Sequence, residues 1–126
     1  MQTVKKVYHI KADLEKVFNA LTNKELIEQW SGATAKMELS EGGKFSLWDG
    51  SIHGVNDLIS PQRIVQQWKE DSWEQFSACE FILQQTGDTT TLKLVHTDIP
   101  DTSAESINQG WDEYYLGPLQ EMLESN

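Results

Sequence analysis

The titratable side chains that could do chemistry are few and scattered. His9, His53 and His96 stand far apart and Cys79 is the single cysteine, so no zinc-binding spacing exists and no metal is expected. Gly42-Gly43 lacks the Lys-Ser/Thr pair of a phosphate-cradling loop, and no serine or cysteine sits in a nucleophile motif. His96 is the one candidate catalytic residue, a base. It shares a strand face with Leu92 and Leu94, and with Tyr114 or Tyr115 opposite it could orient or deprotonate a bound molecule. The alternative is a core-edge histidine bonded to backbone or to a tyrosine hydroxyl. His53 falls on the face opposite the Phe45–Leu47 stripe, where solvent is expected.

The totals narrow the partners. The chain has 126 residues and a net charge of −10, with five tryptophans. That length predicts one domain with a proper core. The acidic balance argues against nucleic acid and anionic membranes, since phosphate binding needs a Lys/Arg surface. One cysteine, no apolar leader near Met1 and no apolar run of transmembrane length predict a cytoplasmic location without membrane insertion. After Lys93 there is no Lys or Arg at all. Asp112, Glu113, Glu121 and Glu124 should therefore give the last helix an acidic outer face. That face serves solubility, or docks a basic protein partner steered by charge.

The elements that must position these residues are legible in the spacing. Thr3–Ile10 reads as an edge strand. Asp13 caps a helix whose stripe is Leu14, Val17, Phe18 and Leu21, and Thr22 with Glu25 has capping-box form for a second, ended by Ser31-Gly32. Strands follow over 33–39, 44–48 and 51–59, the last two joined by Asp49-Gly50, which opposes Leu47 to Ile52 and Phe45 to Gly54. That register puts Phe45, Leu47, Ile52 and Leu58 on one face and Ser46, Trp48 and His53 on the other. Phe45 then covers the bare Gly54 backbone. Strands over 63–69, 77–85 and 90–98 complete a meander, with Trp73 in the intervening loop. Thr102 with Glu105 predicts the start of one long amphipathic helix through Ile107, Trp111, Tyr115, Leu119 and Leu123. Within it, Gly110 suggests a close approach to the sheet and Pro118 a kink near Gly117. The fold class is α+β: an antiparallel sheet with two short helices after its first strand and a long helix laid across it.

The run Phe45-Ser-Leu-Trp-Asp-Gly-Ser-Ile-His-Gly, with Leu58-Ile-Ser-Pro, Ile64-Val-Gln-Gln-Trp, Trp73 and Gly110-Trp-Asp-Glu-Tyr-Tyr, resembles the AHSA1 family. That family comprises the C-terminal domain of the activator of the heat-shock-protein-90 ATPase and its homologues. The resemblance runs over nearly the whole chain. It implies residues 1–126 as a single START-like domain of the SRPBCC, or helix-grip, superfamily. In that fold a curved sheet of six or seven strands grips the C-terminal helix around a cavity. The separate N-terminal domain that carries the activating motif in the eukaryotic protein has no counterpart in this sequence.

The expected cavity lining is Phe45, Leu47, Ile52, Trp68, Phe81, Leu94, His96, Trp111, Tyr114 and Tyr115, apolar with a few polar tips. A core filled by these same side chains is the competing expectation. The leading function is non-enzymatic binding of a small hydrophobic molecule without any cofactor. A chaperone-linked protein-interaction module and a small hydrolase or cyclase using His96 stand as alternatives.

Overall fold

Alternating apolar residues from five strands meet on one face of the sheet and bury the core of the protein. The computed structural model describes residues 1–125. Within them the order is β1 (Gln2–Ile10), α1 (Leu14–Thr22), α2 (Lys24–Ser31), β2 (Lys36–Met37), β3 (Lys44–Leu47), β4 (Ile52–Ser60), β5 (Arg63–Glu70), β6 (Ser77–Thr86) and β7 (Thr89–Ile99). A helical tail follows. The strands form one seven-stranded antiparallel sheet in the order β1-β7-β6-β5-β4-β3-β2. Leu92, Leu94 and His96 of β7, Cys79, Phe81 and Leu83 of β6, and Ile64 and Trp68 of β5 are all buried on its inner face. This is the helix-grip arrangement that the sequence implied.

The hairpin register is as expected, Leu47 opposite Ile52 and Phe45 opposite Gly54. A Cβ on Gly54 would fall 1.7 Å from the Gln67 carbonyl oxygen and 2.8 Å from the Phe45 ring, so the glycine serves packing. Two face assignments change. Trp48, Asp49 and Gly50 all take left-handed backbone (φ 50°, 58° and 92°), which turns the Trp48 ring inward onto Trp30 and Tyr115. Asn56 keeps the inner face by alternation and is buried, but a bulge between Asn56 and Leu58 shifts the register, so Leu58 pairs with Val65 on the outer face.

The helix starts also differ in detail. Asp13 caps α1 by accepting from the Lys16 N–H. For α2 the cap is Asn23, which accepts from Leu26, because the Thr22 hydroxyl already donates to the Phe18 carbonyl inside α1. Gly32, left-handed at φ 73°, ends α2 as anticipated. Thr102 and Glu105 form no capping box. Pro100 starts a tight 3-10 turn over Asp101–Ser103 instead, and α3 (Ala104–Gly110) follows without a side-chain cap.

The tail is helical to Glu124, but its middle is wider than an α-helix. A π-helical segment, Trp111–Leu116, separates α3 from α4 (Gly117–Glu124). Pro118 has no N–H to give the Tyr114 carbonyl, and the Gly117 N–H reaches back five residues to the Asp112 carbonyl. The helix therefore answers the proline with a widened turn. Ile107, Trp111, Tyr115, Leu116 and Leu119 are buried beneath it. Among the described residues, no helix is long and apolar enough to cross a membrane.

Candidate functional site

The π-helical turn and the tip of the β3–β4 hairpin face one another, and a groove of about 430 Å³ lies between them. Trp48, Ser51 and Ile52 come from the hairpin, Trp68 and Glu70 from β5. Ser106, Ile107 and Gly110 come from α3, and Trp111, Tyr114 and Tyr115 from the π turn. Its size falls within the ordinary range for small-molecule sites, and aromatic rings dominate its walls.

The π turn is pinned at its outer edge. Lys6 of β1 bonds the Asp112 carboxylate at 2.8 Å, and the Tyr8 hydroxyl donates to the other oxygen. Partial desolvation pushes the Asp112 pKa up, but these two hydrogen bonds and the Lys6 charge more than offset it, and it ends below its usual value. Burial, reinforced by the Asp112 carboxylate, pushes the Tyr8 phenol up. Asp112 is thus committed to holding the helix on the sheet.

Gly110 lines the groove with bare backbone. A glycine in a helix interior costs about 1 kcal/mol against alanine. The expected reason, a close approach to the sheet, does not hold: a Cβ here would meet only the Tyr114 ring edge, at 3.9 Å. What the missing side chain leaves open is the groove that Gly110 lines.

Beneath the groove the interior is filled. Trp68 stacks on Trp111 at 5.7 Å, Trp111 packs on Tyr115 at 4.5 Å, and Phe81 lies 5.8 Å from Trp111 and 6.0 Å from Tyr115. Of the ten side chains expected around a cavity, Ile52, Trp68, Trp111, Tyr114 and Tyr115 line the groove. Phe45, Leu47, Phe81, Leu94 and His96 are buried in the packed layer instead, Phe81 beneath the Trp111 and Tyr115 rings and His96 beneath Trp111. Tyr114 is the exposed member, at 63%.

His96 sits at the centre of a closed hydrogen-bond chain. The Trp111 indole can only donate, so its 3.0 Å bond to Nδ1 fixes that nitrogen as the acceptor. The proton is then on Nε2, which donates to Ser77 Oγ at 2.7 Å, and the Ser77 hydroxyl donates to the Trp68 carbonyl. Burial lowers the His96 pKa to about 4, so the ring is neutral near pH 7. Both ring nitrogens are occupied, and neither is free to take a proton from a ligand. Burial likewise raises the Cys79 thiol, well away from a reactive thiolate.

One polar atom in this cluster lacks a partner. The Trp68 Nε1–H is buried and unbonded, whereas Trp30, Trp73 and Trp111 donate to the Ala20 carbonyl, Ser103 Oγ and His96. An unpaired buried donor costs about 1–3 kcal/mol. Among the described residues no group of three or more His, Cys, Asp or Glu could hold a metal ion.

Six lining residues were not anticipated: Trp48, Ser51, Glu70, Ser106, Ile107 and Gly110. Ser106 and Gly110 stand at i and i+4, two small residues one turn apart beside the aromatic stripe, and mark a shallow face. Nothing in the sequence announces that Trp48 turns inward, since that depends on three consecutive left-handed residues.

The model of one protein family, "Activator of Hsp90 ATPase homolog 1-like protein", matches residues 11–124. The activator of 90 kDa heat shock protein ATPase homolog 1 of Homo sapiens is 29% identical over 110 residues, 85% of this chain. The homologue from Dictyostelium discoideum is 31% identical over 107 residues, 82% of this chain. The chain spans about a third of the length of these curated relatives, 32% and 28% respectively. Among solved structures, PFC0360w, described as an HSP90 activator from Plasmodium falciparum, superposes with a TM-score of 0.93 at 29% identity. That match covers 98% of this chain and 97% of the other.

Proposed function

On the premise that this chain belongs to the family of Activator of Hsp90 ATPase homolog 1-like proteins, we propose that it holds a small hydrophobic molecule between the sheet and its C-terminal helix, without catalysing a reaction on it. The observation that carries this reading is Gly110. It weakens the helix, packs against nothing that would forbid a side chain, and lines the groove. The satisfied state of His96 supports a binding role over proton transfer. The test uses Nile red, a neutral apolar dye whose emission rises in apolar surroundings. Saturable binding is expected, and Gly110→Leu, which fills the groove from a position that tolerates a side chain, should weaken it at least tenfold with no fall in Tm. Equal binding by wild type and variant would remove the groove from consideration.

A second reading is a docking module for a chaperone of the 90 kDa heat-shock class. It is favoured by the Plasmodium protein, which matches this chain along nearly its whole length and is described as an activator of such a chaperone. The two readings use different surfaces, the groove and the acidic outer face of the last helix, and are compatible.

A further inference from the structure

The last helix covers the inner face of the sheet, and the outer face is open to solvent. On that face the register lays an apolar stripe across five strands. Val7 of β1 pairs with Lys93, and its diagonal neighbour on β7 is Val95. Val95 pairs with Glu80, beside Ile82 on β6. Ile82 pairs with Arg63, beside Val65 on β5, and Val65 faces Leu58 of β4 directly. Their strand neighbours Phe81, Leu83, Leu94 and His96 point into the core, whereas Val7 is 56% exposed and the other four are half-buried. Direct and diagonal neighbours on one face lie within reach of each other, so the five form one stripe. At about 4.8 Å between strands it is about 19 Å long, three to four turns of helix.

The charge of this face opposes that of the molecule. The net charge is −10, yet six of the ten Lys and Arg residues stand here, Lys5, Lys36, Lys44, Arg63, Lys69 and Lys93. Glu80 on the same face is taken by Arg63, and Asp57 accepts from Gln67. Among the described residues, the ammonium groups of Lys5, Lys36, Lys44 and Lys93 have no ion-pair partner. Lys5 and Lys93 stand on opposite sides of the stripe. In a chain with twice as many acids as bases, four cations left unpaired beside an apolar stripe are not used internally.

We infer that the outer face of the sheet docks an acidic amphipathic helix of a partner protein. The helix lays its apolar residues along the stripe from Val7 to Leu58, and its carboxylates meet the flanking lysines. Helices are the usual cover for a sheet face, and a solvated face is ordinarily polar where this one carries valine and isoleucine. Nucleic acid and anionic membranes are repelled by the net charge of −10. A single acidic helix brings few charges and meets the lysines within a screening length of about 8 Å. A second copy of this chain fits poorly, since its last helix offers one exposed large apolar residue, Tyr114, to a stripe of five. The surface is separate from the groove and from the acidic face of the last helix, so its failure leaves both of those readings standing.

The experiment measures fluorescence anisotropy of a labelled helical peptide of about 18 residues, with a leucine stripe flanked by glutamates. The full chain should bind it saturably, and more weakly as salt rises. A scrambled peptide of the same composition should bind at least tenfold more weakly. Lys5→Glu with Lys93→Glu should weaken the striped peptide at least tenfold, and Val65→Thr with Val95→Thr at least fivefold. In case a variant folds poorly, amide shifts in the wild type give a second measure. The peptide should move Val7, Ile82, Val65 and Lys93 and leave Trp111 and Tyr115 in place. No binding, equal binding of the scrambled peptide, or shifts centred on the last helix overturns the inference. So does tighter binding to phosphatidylserine vesicles than to the peptide, or self-association that the two lysine substitutions abolish.

Discussion

At the scale of single residues, His96 shows how burial decides between chemistry and structure. Strand alternation places it inside with Leu92 and Leu94, and the structure agrees. What alternation cannot supply is its partners, because Trp111 and Ser77 arrive from the helix and from β6, 15 and 19 residues away. A pH prediction follows. The folded-state pKa is about 4, below the ordinary 6.5. The unfolded chain thus binds more protons between those values, so stability is fully present above pH 6.5 and is lost as pH falls toward 4. Between about pH 7 and about pH 5, urea unfolding should lose about 2 kcal/mol through this group. Carboxylates, still ionised there, contribute little. His96→Gln keeps an acceptor for the Trp111 indole and should abolish that component. An unchanged slope in the variant would assign the pH dependence elsewhere.

At the scale of elements, the last helix was legible in extent and illegible in pitch. Buried Trp111, Tyr115 and Leu119 recur every fourth residue, a spacing that an α-helix and a helix with one inserted residue satisfy equally. Pro118 and Gly117 marked the right place for an irregularity, whose hydrogen-bond form is a π turn. The capping boxes misled for a local reason: each pattern ignored a neighbour with a stronger hold, Asn23 in one case and Pro100 in the other. Two glycines in this element now make opposite predictions. A Cβ at Gly117 would sit 2.2 Å from the Asp112 carbonyl oxygen, so Gly117→Ala must break the wide turn. It should cost about 2 kcal/mol in urea unfolding. Gly110→Ala meets only ordinary contact and should gain up to about 1 kcal/mol. Equal effects at the two sites would mean that the turn is not fixed by its glycine.

At the scale of the whole molecule, the meander and the hairpin register were readable because strict two-residue alternation and Asp49-Gly50 leave few alternatives. The site was half readable: the helix stripe pointed to Trp111, Tyr114 and Tyr115, but the hairpin tip that closes the groove depends on backbone angles. The partner reading belongs to this scale. Asp112 is taken by Lys6 and Tyr8, and Glu124 accepts from the Lys11 N–H, while Glu113, which accepts only an exposed bond from Gln109 one turn away, and Glu121 face outward where a partner could reach them. Added to a 90 kDa heat-shock ATPase, the chain should associate in a salt-sensitive way and alter ATP turnover, and Glu113→Lys with Glu121→Lys should weaken both several-fold. No association and no rate change would end that reading. Finally, Trp48, Trp30, Tyr115, Trp111, Trp68 and Trp73 form an unbroken relay of rings, neighbouring centroids 4.5 to 6.0 Å apart. Rings this close couple their strongest transitions, so an exciton-type couplet is expected in the far-ultraviolet circular dichroism. Tryptophan emission should therefore report any occupant proposed for the groove beside Trp48.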